Sequence, residues 1–435
     1  MKRLLSPKPD DVACGTAEHW SRRSLLRTAG FSGLAWLTPV SQILARAAEN
    51  GKTRPRSLIV LWLQGGASQL ETFDPHPDTV ISGGSPAIAT AAPGIRIADG
   101  LPQAAEIMSD LSVVRSLVSK EGDHARATYN MKTGHRPIPG LEHPSLGSIV
   151  CHELPGDGLD IPSHISILPS QAPARGGYLG ARLDAFRIGD PVEPVPDTRS
   201  PVGKERQQQR LSSLELLDTT FARGRLARLD ETRTLHRTNA ERALRMMSSD
   251  QLAAFDVNEA PAAEREGYGD TPFGRGCLAA LRLVESGVRC VEVTLNGWDT
   301  HVNNLELQRA RNAILDPALA ALVKGLRDRE IYEETIVLVG TEFGRTPRLN
   351  ALDGRDHWPH AFSVALGGGG IAGGRVIGAT DPEGEENAPA DPVTVDDLHA
   401  TVLTALGIDP SYEFMTPLNR PVPLSEGRPV RGLLA

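Results

Sequence analysis

The chain has 435 residues, with 46 basic and 54 acidic side chains and a formal net charge of −8. This balance provides no basic surface of the kind that binds nucleic acid, and no nucleic-acid module is recognisable in the sequence. The four cysteines have no CxxC spacing and do not indicate a disulfide framework. A single disulfide between Cys277 and Cys290 is the alternative.

The N-terminus has the pattern of a twin-arginine export signal. Arg22 and Arg23 precede an apolar run over 29–44, which is followed by a small-residue cleavage pattern. The run is interrupted by polar residues and is shorter than the ~20 residues of a membrane span. We interpret 1–47 as a removed signal, with an uncleaved anchor as the alternative. We therefore expect a periplasmic or extracellular protein without a stable membrane span, whose mature domain is 48–435.

The first strand signal of the mature chain is the apolar run at 57–63, which ends in Gln64. A continuous run of β-formers followed by two glycines is typical of a buried parallel strand that leads into a functional turn. A weaker strand is predicted at 111–117, and a polar turn followed by a short helix is predicted within 122–136.

Residues 201–267 are charged and rich in arginine, which predicts a helical insert or lid. The apolar residues Leu214, Leu217 and Phe221 within it have helical spacing. The arginines have two interpretations. They contact an anionic ligand, or they form a solvated face of the helix.

The chain then alternates between helix and strand signals. We predict helices at 272–286, 305–327 and 396–406, and strands at 288–295, 335–340 and 362–366. This alternation predicts an α/β fold with a doubly wound, mainly parallel sheet and helices on both faces. The glycines at 367–370 lack the spacing of a nucleotide-binding motif and predict a tight turn.

Three polar clusters follow predicted strands or loops, GWDTH at 297–301, GTEFGR at 340–345 and RDHWP at 355–359. Asp299 and His301 offer two metal ligands from one turn, because carboxylates and imidazoles bind Zn²⁺ and similar ions. In the alternative, Asp299 caps the next helix, Glu342 and Arg345 form a structural ion pair, and His357 is satisfied by hydrogen bonds. Because the three clusters follow consecutive elements, we predict that they form one site.

These clusters belong to a longer set of motifs, LQGGAS from Leu63, TFDP from Thr72, TGHRP from Thr133, GWDTH from Gly297, EFGRTP from Glu342 and DHWP from Asp356. The set resembles the bacterial exported family called domain of unknown function 1501, over nearly the whole mature chain. That family resembles the alkaline phosphatase and sulfatase superfamily. The resemblance implies one or two metal ions at the carboxyl ends of a parallel sheet and attack on phosphate or sulfate esters.

The chain departs from the superfamily pattern at the residues that matter most for chemistry. Gln64 stands where the pattern has a carboxylate, and Phe343 replaces a histidine next to Glu342. His124 stands nine residues before Thr133, where the pattern has a nucleophile. Three roles for His124 stay open, namely metal or substrate binding, a structural role, and nucleophilic attack on phosphorus.

The resemblance implies a site with one divalent metal ion, Zn or Ca, held by Asp299, His301 and His357, with Glu342 and His124 as further members. A water molecule is then the expected nucleophile, Glu342 ligates or orients it, and His124 protonates the leaving group.

Three further side chains complete the expected site. The expected substrate is a small anionic ester or glycan, which Arg345 holds bidentately and which Gln64 and Ser68 contact. Ser68 is otherwise a second nucleophile or a turn hydroxyl. The alternative function is an inactive sulfatase-like protein that binds an anionic glycan or an envelope partner, and a structural component of an envelope assembly is a third.

Overall fold

The computed structural model describes residues 56–435 except 157, 171, 173 and 223–241, and gives the backbone alone at 204 and 218–222. The predicted export signal at 1–47 lies outside these residues. The strands are β1 (Ser57–Gln64), β2 (Ala87–Ala89), β3 (Arg96–Ala98), β4 (Leu111–Val118), β5 (His164–Ile167), β6 (Phe186–Ile188), β7 (Cys290–Asn296), β8 (Thr335–Gly340), β9 (Gly344–Arg345), β10 (His357–Trp358), β11 (Phe362–Gly368), β12 (Val376–Ile377), β13 (Val393–Thr394), β14 (Glu413–Met415) and β15 (Pro421–Pro423). The α-helices with both ends in the described residues are α1 (Pro102–Glu106), α2 (His124–Thr133), α3 (Leu146–Glu153), α4 (Lys204–Ala222), α5 (Ala262–Gly267), α6 (Pro272–Glu285), α7 (Asn304–Asp328) and α8 (Val395–Ala405).

The main sheet has the strand order β12-β4-β11-β8-β1-β7-β5-β6, with β13 paired to β4. Strands β8, β1, β7, β5 and β6 are parallel, whereas β11 is antiparallel to both of its neighbours. Strand β4 therefore runs in the same direction as β8. The predicted mainly parallel α/β fold is confirmed, and β11 is its antiparallel exception.

Helices cover both faces of this sheet, as predicted. Alternate residues of β1 enter different cores, because successive side chains of a strand point to opposite faces. Ile59 packs in the core that contains α1, α6 and α7. Leu58 and Trp62 pack in the core that contains α3 and α8. In the described part of the chain, no helix combines the length and apolar character that crossing a membrane requires.

The predicted insert region contains α4, a helical stretch at 242–248, two short 3₁₀ helices and α5. Leu214 and Leu217 are 38% and 55% exposed, so the apolar spacing of α4 does not produce a buried stripe there. The middle of the predicted insert, 223–241, lies outside the described residues. Cys151, Cys277 and Cys290 are buried free thiols, so the structure does not contain the Cys277–Cys290 bridge that the sequence left open.

His143 makes the stability of this fold depend on pH. Burial lowers the pKa of its imidazole from 6.5 to about 4, and a protonated ring could not accept the hydrogen bond at Nδ1 from the Tyr129 hydroxyl, 3.0 Å away. Between these two pKa values the unfolded chain binds more protons than the folded chain, so stability falls as the pH drops below about 6.5. We expect His143 to contribute a loss of about 1 to 2 kcal/mol between pH 7 and pH 5, measured by urea unfolding as the difference between wild type and His143→Gln.

The matched variants for this prediction are His143→Gln and His360→Gln. His143→Gln removes the titrating group and should weaken the pH dependence, whereas His360 is exposed and its replacement should leave the wild-type dependence. An equal pH dependence in wild type and His143→Gln would contradict the assignment to His143.

Candidate metal centre

The candidate site lies where the carboxyl ends of β1, β4, β7 and β8 meet. Gln64 ends β1, and Asp299 and His301 lie in the loop that follows β7. Glu342 follows β8, and His124 is the first residue of α2, which follows β4. Because these four strands run in one direction, their carboxyl ends form one edge of the sheet, where ligands bind in open α/β folds.

Two glycines allow the loops at this edge to approach each other. Gly65 and Gly66 have φ values of 116° and 82°, which residues with a side chain rarely adopt. A Cβ atom on Gly65 would lie 2.6 Å from the backbone nitrogen of Asp299, and one on Gly66 would lie 2.6 Å from the Phe343 ring. The glycines predicted to form a functional turn therefore bring β1 against both neighbouring loops.

Three imidazoles of the site are fixed through their Nδ1 atoms. The distances are 2.9 Å from His124 to Glu342 Oε1, 2.8 Å from His301 to Asp356 Oδ1, and 2.9 Å from His357 to the carbonyl oxygen of Gly122. A carbonyl oxygen or an ionised carboxylate accepts hydrogen bonds, so each Nδ1 donates. In the neutral form of each ring, Nε2 then carries the free lone pair, the arrangement found in histidines that bind metals.

The three Nε2 atoms converge on Asp299. His301 Nε2 and His357 Nε2 lie 3.1 Å and 3.4 Å from Asp299 Oδ1, and His124 Nε2 lies 3.3 Å from Asp299 Oδ2. His301 Nε2 and His357 Nε2 are also 3.1 Å apart. Lone pairs that face each other and a carboxylate repel unless a proton or a cation lies between them.

These residues fit a divalent cation. The ligand atoms of His124, Asp299 and His357 all lie within 4.8 Å of one another, and His301 adds a fourth atom at the distances given above. Three imidazole nitrogens and one carboxylate form a donor set that suits Zn²⁺ and related transition metals better than Ca²⁺, which prefers oxygen ligands. Asp299 and His301 are each 46% exposed, so the site is open on one side.

The electrostatics favour the metal-binding forms of Asp299 and His357, whereas they favour the protonated form of His124. Burial raises the pKa of Asp299, but Arg345 and the neighbouring histidines outweigh it, and the pKa lies below its usual range. Burial lowers the pKa of His357. The hydrogen bond to Glu342 raises the pKa of His124. At neutral pH Asp299 is therefore ionised and His357 is neutral.

Arg345 lies beneath the site, where it contacts protein groups. Its side chain is 0% exposed. Its guanidinium donates to the carbonyl oxygens of Gly66, Arg355, Trp298 and Gly65, and to Asp299 Oδ1 at 2.6 Å. The sequence prediction is a bidentate grip on substrate, whereas in the structure these bonds direct the guanidinium to backbone carbonyl oxygens and to Asp299. The alternative interpretation of the sequence required an ion pair between Arg345 and Glu342. In the structure Arg345 pairs with Asp299.

Glu342 lies behind His124 and does not face the converging Nε2 atoms. Its fully buried carboxylate accepts hydrogen bonds from His124 Nδ1 at 2.9 Å, the Gly65 amide at 2.8 Å and Gln64 Nε2 at 3.1 Å. Glu342 is predicted as a metal ligand, and the structure places its carboxylate against the Nδ1 atom of His124. Asp299 does not cap the next helix, since the N-cap of α7 is Asn303.

The two remaining predicted substrate contacts, Gln64 and Ser68, differ in their exposure to solvent. Gln64 is half-buried, and its Oε1 accepts a hydrogen bond from Trp62 Nε1 at 2.7 Å. Ser68 is fully buried, and its Oγ has no hydrogen-bond partner among the described residues. Because the Ser68 hydroxyl is buried, a substrate from solvent cannot reach it in this conformation. This burial disfavours the predicted roles of Ser68 as a nucleophile and as a substrate contact.

Asp356 and Phe343 contribute to the site in ways that the sequence interpretation missed. Asp356 holds His301, and the hydrogen bond from His301 lowers the pKa of Asp356. The Phe343 ring stacks on His357, with centroids 4.3 Å apart, and lies 4.9 Å from His124. Asp356 directly precedes the predicted ligand His357, and this position is a signal that could have identified it as a carboxylate that holds a neighbouring imidazole.

Replacing Glu342 with glutamine should weaken metal binding about 10- to 100-fold, because the charged partner that orients His124 is lost. The affinity would be measured by competition with a chromogenic chelator. The exposed Glu385→Gln variant is the matched control and should bind like wild type. If both variants bind metal equally well, Glu342 does not orient a ligand.

Comparisons with known proteins complete the description. The model of the family described as "Protein of unknown function (DUF1501)" matches residues 55–434. Comparison with curated proteins finds no match.

Several solved structures are similar to this chain. The PsFucS1 sulfatase from Pseudoalteromonas sp. is 12% identical with a TM-score of 0.39, covering 85% of this chain and 70% of that chain. The C-terminal periplasmic domain of EcEptC from Escherichia coli, in complex with Zn, is 11% identical with a TM-score of 0.38, covering 88% and 92%. An alkaline phosphatase superfamily protein from Vibrio parahaemolyticus is 11% identical with a TM-score of 0.36, covering 82% and 67%. Similarities at this level assign neither an activity nor a ligand to this chain.

Proposed function

Because the chain belongs to the family described as "Protein of unknown function (DUF1501)", we propose a function from the site itself, that of an exported, metal-dependent hydrolase of phosphate or sulfate esters. The observation that carries the proposal is the convergence of three imidazole Nε2 atoms on Asp299 at an exposed edge of the sheet. Asp299 and His301 are each 46% exposed, so a cation held there would be accessible to substrate, as in catalytic metal sites, whereas structural sites are closed. The ester class follows from the motif resemblance, and export follows from the twin-arginine pattern.

In this proposal His124, Asp299, His301 and His357 hold the cation. When bound, the cation would polarise an ester oxygen and lower the pKa of a water molecule at the site. Glu342 and Asp356 keep His124 and His301 in the tautomer that offers Nε2.

The surrounding groups make this arrangement rigid. Arg345 fixes the Asp299 carboxylate from below, and the Phe343 ring supports two of the imidazoles. Preorganised groups of this kind reduce the reorganisation that a reaction requires. Water serves as the nucleophile in this scheme, because the Ser68 hydroxyl is buried and His124 is a ligand.

The proposal is tested on the mature protein, purified from the exported fraction without chelators. Metal content is measured by elemental mass spectrometry, and hydrolysis is measured with p-nitrophenyl phosphate, bis-p-nitrophenyl phosphate and p-nitrophenyl sulfate. We expect bound metal, together with hydrolysis of at least one ester that EDTA abolishes and added metal restores. Bound metal without hydrolysis of any ester would favour the non-catalytic binding protein. Absence of metal would overturn the proposed centre.

A further inference from the structure

A cavity of about 790 Å³ lies along α2, beside the candidate metal centre. Ala125, Thr128, Tyr129 and Lys132 of α2 line it. These positions have helical spacing and form one face of the helix. Since α2 begins with His124, the cavity begins one residue from a proposed metal ligand. Its volume lies in the range of sites that enclose a small organic ligand.

Two of the cationic side chains that line the cavity are already paired. Lys132 Nζ lies 2.8 Å from Glu292 Oε1, and both side chains are buried. Arg175 Nε lies 3.3 Å from Glu142 Oε1 and 3.9 Å from Asp184 Oδ2. Arg187 also lines the cavity. Three cationic side chains are thus balanced by the three carboxylates of Glu142, Asp184 and Glu292, and this balance disfavours a strongly anionic ligand.

Flat rings accompany these pairs. Tyr129, His143 and Phe186 line the cavity. The Tyr129 hydroxyl fixes His143 by accepting from its backbone amide at 2.8 Å, and the His143 ring stacks on His135 with centroids 4.0 Å apart. The depressed pKa of His143 keeps that ring neutral. The cavity thus combines fixed rings with hydrogen-bond donors and acceptors.

A chain of contacts joins the cavity to the metal centre. Lys132 Nζ lies 5.1 Å from the centre of the Trp62 ring, and Trp62 Nε1 donates to Gln64 Oε1 at 2.7 Å. Gln64 Nε2 in turn donates to Glu342, which orients His124. The cavity and the candidate centre are therefore connected by a short chain of largely buried contacts.

We propose that this cavity binds an uncharged, hydroxyl-rich group, a saccharide unit. Sugar hydroxyls both donate and accept hydrogen bonds, so they can bind cationic and anionic side chains alike. The apolar faces of a sugar ring can pack against aromatic rings. The link to catalysis rests on the proposed function, in which the saccharide carries the ester that reaches the metal centre. Binding of the saccharide itself does not require the metal.

The test is saturation-transfer NMR with three probes, methyl β-glucoside, maltotriose and an acetylated trialanine amide. Ala125→Trp fills the end of the cavity, whereas Ala313→Trp places the same side chain at an exposed position of α7. We expect saccharide signals from wild type and Ala313→Trp, and at least a fivefold loss in Ala125→Trp. Arg175→Ala, which removes one donor at an exposed position, should show a similar loss and serves if Ala125→Trp does not fold.

The contrary outcomes are distinct from failure of the proposed function. Absence of saccharide signals in wild type, equal signals in the cavity variants, or signals from the peptide probe alone would overturn the inference. Metal content is measured on the same samples. If wild type binds the saccharide but contains no metal as purified, the result would support the cavity and overturn the proposed hydrolase.

Discussion

Replacing His357 with alanine should lower the affinity for a divalent cation by about a hundredfold or more, because a ligand and its fixed orientation are lost together. His357 Nε2 lies 3.1 Å from His301 Nε2 and 3.4 Å from Asp299 Oδ1, so its removal opens the centre of the donor set. The donors that remain, His124, Asp299 and His301, would hold a cation less tightly than four donors do. The measurement is metal content after dialysis against a weak chelator, followed by competition titration.

The matched control for this prediction is His360→Ala. His360 lies three residues further along the chain, is exposed, and has its ring against Trp358 and not in the donor set. We expect its metal content to equal that of wild type. If His357→Ala also retains metal, the convergence of imidazoles is a hydrogen-bonded cluster and the metal centre lies elsewhere.

Much of the sheet could be predicted because a buried parallel strand is a continuous apolar run. The predicted strand at 57–63 corresponds to β1, Ser57–Gln64, and the one at 335–340 coincides with β8. Strands β5 and β6 were missed, since they have four and three residues and contain polar side chains. The antiparallel direction of β11 was also missed, because an apolar run carries no information about its direction.

The location of the site could be predicted more readily than the role of each residue. Polar residues that follow parallel strands must meet at one edge, which is why Asp299, Glu342 and His124 are neighbours. Their directions depend on the glycine turn after β1 and on the pairing of Arg345 with His357 in β9 and β10. Those are tertiary features, and residue types alone do not reveal them.

Replacing Arg355 with methionine should destabilise the protein by about 3 to 5 kcal/mol, the usual cost of removing one partner from a buried ion pair. Arg355 and Glu71 are 0% and 1% exposed, and Arg355 Nη2 lies 2.9 Å from Glu71 Oε1. The guanidinium also donates to the carbonyl oxygens of Ile81, Thr346 and Pro347. Without it, the Glu71 carboxylate is buried without a counter-ion, and the segment that leads to His357 loses its anchor. Urea unfolding monitored by circular dichroism measures the loss.

Two further variants distinguish the effect of leaving a buried charge unpaired from the effect of shortening a long side chain. Arg348→Met removes an exposed arginine that lies 3.7 Å from Glu385, and should change stability by less than about 0.5 kcal/mol. The double variant Arg355→Met/Glu71→Leu leaves no buried charge and should recover at least about half of the loss. The recovery is partial, because the three carbonyl oxygens still lack their donor. A single variant that loses less than about 1 kcal/mol, or a double variant that loses as much as the single, would show that the Glu71 charge is not what Arg355 neutralises.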